Sequence, residues 1–163
     1  MTTFAACGTS GSVAETQHLA ARLAAQLAPG DVVCLYGQLG AGKTYFTKGL
    51  VAGLGGDADR VTSPTFVLMQ VYEARLTVYH FDAYRLGSGQ DLLDIGSDDI
   101  LQGDGVSVIE WADRVADALS AQRIEVHLEA AGENERRIRI AGLGSHEAQC
   151  VTALAGDGML SVC

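Results

Sequence analysis

One stretch leaves the chain little freedom of fold: Tyr36 to Thr44, YGQLGAGKT, set directly after the apolar run VVCL at 32–35. Gly37, Gly42, Lys43 and Thr44 spell G-x-x-x-x-G-K-[ST], in which glycines let the backbone curl its N–H groups around phosphate oxygens. The pattern needs a strand before it and a helix after it, and the flanking residues supply both. VVCLY is short and β-branched at its start, as a strand buried on both faces would be, and TYFTKGLVAGL at 44–54 reads as a helix stopped by Gly55-Gly56. From this composition the pattern arises by chance about 0.003 times per chain, which favours triphosphate binding over a chance Gly-rich turn. The residues expected to touch nucleotide are Gln38, Leu39, Gly40, Ala41, Gly42, Lys43, Thr44 and Tyr45. Lys43 is expected to reach the β- and γ-phosphates, and Thr44 to give its hydroxyl to Mg²⁺.

Such a loop needs an acid near the metal and a group to orient the attacking nucleophile. In open α/β sheets these residues sit just past the carboxyl ends of strands. Two acids fit: Asp82 follows LTVYHF, and Glu110 follows VSVI. Glu110 is expected at the metal, against the blander reading of a solvated strand-end acid. Asp82 is expected either near the metal or on the attacking water. Lys43, Asp82 and Glu110 are thus the candidate catalytic residues, and Thr44 and Glu110 the candidate metal ligands. His80, alone within a strand, reads as packed, and the acid-rich DLLDIGSDDI reads as a solvated helical face. Ser63-Pro64-Thr65 lies where nucleotide-sensing switches sit in related architectures, and Ser63 or Thr65 is a candidate neighbour of the metal. No N-K-x-D occurs, so ATP is expected rather than GTP.

Elsewhere the pattern alternates. Residues 12–27 keep apolar spacings of three and four with Ser12 as N-cap, and Pro29-Gly30-Asp31 ends that helix. TFVLMQVYEA and LTVYHF form one expected hairpin, and IEVHLEA and RRIRIAGL a second. The expected fold is α/β and P-loop NTPase-like, a mostly parallel central sheet with antiparallel additions and helices on both faces. One domain is expected over 1–163, with a core at 12–142 and residues 143–163 as a peripheral helix or loose tail.

Composition then narrows the setting. No apolar run approaches the ~20 residues of a membrane span, so a soluble, cytoplasmic protein without a membrane partner is expected. Cys7, Cys34, Cys150 and Cys163 are scattered without a C-x-x-C pair, which reads as four reduced, inert thiols. Twenty acidic against eleven basic side chains give a net charge of −9, which disfavours unaided binding of nucleic acid.

With these pieces placed, the sequence resembles the TsaE family, small P-loop ATPases of bacterial threonylcarbamoyladenosine (t6A) modification of tRNA. The resemblance rests on YGQLGAGKT at 36–44, SPTFVL at 63–68, VYHFDAYRL at 78–86 and VIEWADR at 108–114, and spans roughly residues 12–142. It implies Mg²⁺-dependent ATP hydrolysis in company with the proteins TsaB and TsaD, which act on the adenosine next to the anticodon, so that tRNA is met only indirectly, through the partners. It makes Lys43 the phosphate ligand, places Thr44 and Glu110 at magnesium, and makes Asp82 the second acid. Trp111 becomes a packing or partner-sensing neighbour, and Ser63 to Thr65 a switch-like segment. Base contacts are implied near Ser12 and Val13 and near Arg136 and Arg137. Ala83 stands where the family has a larger aliphatic residue, and the stretch beyond Leu143 follows no family pattern. Two alternatives stay open on the residues alone: a small-molecule kinase, although residues 86–104 contain no basic residue for an acceptor lid, and a nucleotide-sensing scaffold without catalysis.

Overall fold

The computed structural model describes residues 2–63, 67–156 and 158–163. Among these residues eight strands form one sheet: β1 (Thr3–Ser10), β2 (Val32–Tyr36), β3 (Met69–Tyr72), β4 (Val78–Asp82), β5 (Val106–Glu110), β6 (Arg123–Ala130), β7 (Arg136–Leu143) and β8 (Leu160–Val162). Their spatial order is β3-β4-β5-β2-β6-β7-β1-β8. The four central strands β4, β5, β2 and β6 run parallel, and antiparallel pairings add β3 on one side and β7, β1 and β8 on the other. Both expected hairpins are present, as β3–β4 and β6–β7. The fold is thus the α/β sheet expected, parallel at its centre.

Among the described residues, five α-helices accompany the sheet: α1 (Val13–Ala24), α2 (Lys43–Gly53), α3 (Gly89–Asp94), α4 (Ser97–Leu101) and α5 (Ser145–Ala155). Ser12 caps α1 as its sequence suggests, its hydroxyl accepting the Glu15 N–H at 3.1 Å, which satisfies one of the donors a helix start leaves over. Alternation along β2 splits the core in two. Val33 and Leu35 join Leu19 and Leu23 of α1, Phe46 and Leu50 of α2, and Val151 and Leu154 of α5. Val32 and Cys34 face the other way, with Phe81, Ile109, Leu92 of α3 and Val115 of the 3-10 segment Ala112–Ala118. A strand covered on both faces needs the unbroken apolar run that VVCL provides.

The cysteine expectation is corrected in part. Cys7 and Cys163 form a disulfide across 156 residues of sequence, while Cys34 and Cys150 are free and buried. Antiparallel pairing of β1 with β8 sets Cys7 opposite Ser161 and brings Cys163 within bonding reach. Sequence spacing has no access to that juxtaposition. The stretch after Leu143 forms α5, packed through its buried Cys150, Val151 and Leu154, and then β8 at the sheet edge.

Candidate functional site

The site forms where three parallel strands end beside the start of α2. Along β4, Val78, His80 and Asp82 share one face; along β5, Val106, Val108 and Glu110 do, since side chains alternate along a strand. The pairing sets Asp82 directly opposite Glu110. That face is the one α2 covers, so both carboxylates come to the helix start that carries Lys43 and Thr44. The expected acids and the expected loop are therefore brought together, around a cavity of about 330 Å³.

Backbone conformation builds the loop between β2 and α2. Gly42, the residue before the helix, has φ 106°, a left-handed value that residues with a side chain rarely adopt. At Gly37 a Cβ would lie 2.6 Å from the Leu128 carbonyl oxygen, so only glycine lets the loop pass β6 this closely. Arg136, on β7, closes the loop from outside. Its Nε donates to the Ala41 carbonyl and its Nη2 to the Gly40 carbonyl, both at 3.1 Å. The structure thus engages the Arg136 guanidinium with the loop backbone. A larger hollow of about 940 Å³ opens beside the loop, walled in part by Gln38, Leu39 and Arg137, with Tyr36 and His127 stacked at 4.5 Å between ring centroids. Lys43, Thr44, Asp82 and Glu110 line the smaller cavity.

Inside the smaller cavity, Thr44 Oγ1 donates to Glu110 Oε1 at 3.1 Å. The same carboxylate oxygen lies 3.0 Å from His80 Nε2, and the His80 and Glu110 side chains are only 0% and 3% exposed. Asp82 Oδ1 accepts the Tyr84 N–H at 2.8 Å, and Asp82 Oδ2 accepts the Ser63 hydroxyl at 3.4 Å. Ser63 thus meets the second acid, while Pro64 and Thr65 of the expected switch lie outside the described residues. Lys43 Nζ donates to the Gly37 and Gln38 carbonyls at 2.5 and 3.0 Å and sits 3.9 Å from the centre of the Trp111 ring. Burial pulls the Lys43 ammonium below its ordinary pKa, although the Glu110, Asp82 and Asp113 carboxylates favour its charge.

Trp111 reaches that position through a left-handed backbone, φ 57°, which costs a residue with a side chain roughly 1–2 kcal/mol. The turn lets Glu110 point to α2 while the next side chain swings over Lys43 and packs on Tyr84, 5.0 Å between ring centroids. Sequence reasoning placed Trp111 beside the site without this contact, and it read His80 as packed without its link to Glu110. The signal for His80 was present, because it stands two residues before Asp82 and alternation puts both on one face. For Arg136 no local signal exists.

The donor set suits a hard divalent cation. Two cis ligands of octahedral Mg²⁺ lie about 3.0 Å apart when each bond is about 2.1 Å, close to the 3.1 Å between Thr44 Oγ1 and Glu110 Oε1.

Comparisons with known proteins point to one family. The family model described as "Threonylcarbamoyl adenosine biosynthesis protein TsaE" matches residues 10–138. The chain is 48% identical over 115 residues to the tRNA threonylcarbamoyladenosine biosynthesis protein TsaE of Treponema pallidum, covering 71% of this chain and 84% of that one. It is 40% identical over 132 residues to the protein of the same name from Bacillus subtilis, covering 80% and 82%. The crystal structure of Bacillus subtilis YdiB superposes with a TM-score of 0.80 at 32% identity, covering 96% of this chain and 97% of that one.

Proposed function

The chain belongs to the TsaE family, and from that premise we propose that it binds ATP with Mg²⁺, hydrolyses it, and works in t6A modification of tRNA with TsaB and TsaD. The observation that carries this reading is the 3.1 Å contact between Thr44 and Glu110 at the mouth of the phosphate loop. It supplies two hard oxygen donors where a triphosphate on the loop would present its β- and γ-oxygens.

In this reading the N–H groups of residues 38–44 and the start of α2 hold the phosphates. Lys43 exchanges its carbonyl contacts for phosphate oxygens, and the Trp111 ring keeps its ammonium on course. Thr44 turns a lone pair outward and Glu110 stays fixed by His80. Magnesium, when bound by Thr44 and Glu110, neutralises charge that builds on the phosphate oxygens. Asp82, held by Ser63 and the Tyr84 N–H, orients the attacking water. The net charge of −9 suits a subunit that leaves tRNA to its partners.

The test is reconstitution with TsaB and TsaD, following multiple-turnover modification of tRNA with and without this chain. Lys43→Ala is expected to abolish ATP binding. Glu110→Ala is expected to spare binding and slow hydrolysis by about a hundredfold or more, as loss of a group acting in the transition state does. Wild-type hydrolysis by Glu110→Ala would remove the site assignment, and modification that does not depend on the chain would remove the pathway.

A further inference from the structure

A second cluster of metal-binding side chains stands at the opposite end of β2 from the phosphate loop. Asp31 ends the turn that leads into β2, and His146 and Cys150 lie one helical turn apart on α5. Their donor atoms all fall within 4.8 Å of one another. His146 Nε2 is 2.9 Å from Asp31 Oδ2 and 3.6 Å from Cys150 Sγ. Asp31 and Cys150 are buried, and the His146 side chain is 43% exposed.

We propose that Asp31, His146 and Cys150 form a binding site for a borderline-soft divalent cation, Zn²⁺ in the first place, with its fourth position open to solvent. The geometry carries this. Tetrahedral zinc with bonds of about 2.05 Å to nitrogen and about 2.3 Å to sulfur holds those atoms about 3.6 Å apart, the separation His146 and Cys150 already have. Oxygen and nitrogen ligands would stand about 3.4 Å apart, so the 2.9 Å hydrogen bond from His146 to Asp31 opens by a few tenths of an ångström. The arrangement is not a nucleophilic triad: a single imidazole nitrogen meets both partners, whereas a relay needs one nitrogen for each.

The donor types select the cation. Sulfur and imidazole disfavour Mg²⁺ and Ca²⁺ and favour zinc or cobalt. Cys150 binds as the thiolate and releases its proton to solvent. Desolvation and the Asp31 and Glu147 carboxylates push that thiol up to about 11, so it stays protonated until a cation takes the proton's place. Asp31 is fixed from the other side, its Oδ2 also accepting the Ala28 N–H at 2.7 Å, and the Cys150 thiol gives up its 3.3 Å hydrogen bond to the Gln26 carbonyl together with its proton. Bound metal would therefore join the end of the α1 region, the start of β2 and α5.

The experiment uses the full, non-reduced chain without nucleotide, so that Cys7 and Cys163 stay paired. Titration with Co²⁺ is expected to give one equivalent bound, with the thiolate-to-cobalt charge-transfer absorption that only a cysteine ligand produces. Cys150→Ala is expected to abolish that absorption, and His146→Ala, at a partly exposed position, to weaken binding by roughly tenfold or more. Cys34→Ala and Glu110→Gln are expected to leave it unchanged. Zn²⁺ is expected to raise the unfolding temperature of the wild type and not of His146→Ala. Absence of the thiolate band from the wild type, its persistence in His146→Ala at full strength, or its loss in Glu110→Gln would each overturn the proposal. None of these outcomes bears on ATP hydrolysis at the phosphate loop.

Discussion

His80 and Glu110 face each other on neighbouring parallel strands, imidazole Nε2 3.0 Å from carboxylate Oε1, with both side chains almost wholly out of water. An ionised carboxylate can only accept, so the nitrogen donates. This contact holds the acid that Thr44 also touches, and it answers part of the cost of burying a charge beneath α2.

Removing the donor should therefore be felt twice. His80→Ala is expected to lower the unfolding free energy by about 1–3 kcal/mol, the usual cost of leaving a buried polar group short of a partner. ATP hydrolysis is expected to fall while ATP binding holds. Chemical denaturation and steady-state kinetics check the two effects, and His80→Gln, which keeps a donor, is expected to recover part of both.

Lys43 makes the opposite kind of contribution. Its folded pKa lies below the ordinary 10.5, with burial the largest cause, so the unfolded chain holds this proton more tightly than the folded one. The cost is full below the folded pKa and fades as pH rises through it toward 10.5. Lys43→Met is therefore expected to stabilise the nucleotide-free protein at pH 7, with an advantage that shrinks toward pH 10.5. Paired urea unfolding curves across that range measure it, and an advantage that grows with pH would contradict the burial argument.

Arg136 offers a way to loosen the loop without touching its chemistry. Arg136→Ala removes two hydrogen bonds to the Gly40 and Ala41 carbonyls, which keep the loop in shape before the phosphates arrive. ATP affinity is expected to drop by about tenfold, at about 1 kcal/mol or a little less per bond, with the rate at saturating ATP little changed. Arg136→Lys is not expected to rescue it, because an ammonium cannot donate along two fixed directions as a guanidinium does.

The disulfide should dominate the response to reductant. A link across 156 residues removes unfolded-state entropy worth about 5 kcal/mol in the chain-entropy view. Urea unfolding with and without reductant is expected to show a large drop in midpoint, and Cys7→Ser should show the same drop without reductant. Near-equal midpoints would mean that the sheet pairing alone holds β1 and β8.

What the sequence disclosed and what it withheld divide by range along the chain. The phosphate loop is local, so its spelling suffices. Asp82 and Glu110 are legible because each ends its own apolar strand, and strand ends are where open sheets place such groups. β1 was missed because TFAACGTS mixes small residues and glycine with no clear period of two, and eight antiparallel pairs with β7 impose its conformation. The Cys7–Cys163 bond, the Arg136 clamp and the cluster of Asp31 with α5 all join residues far apart in sequence. Such contacts belong to topology, which periodicity does not carry.

The pairing of Asp82 with Glu110 also says where this chain can change its length. Adding or deleting one residue between Val78 and Asp82 would turn the second acid to the opposite side of the sheet, toward Leu92 and Val115, because facing reverses with each step along a strand. Extra residues in the polar turn at 131–135 would leave both carboxylates where they are. Insertions and deletions should thus be tolerated in the turns and purged from β4 and β5, so the spacing inside those two strands is as much a part of the site as the acids themselves.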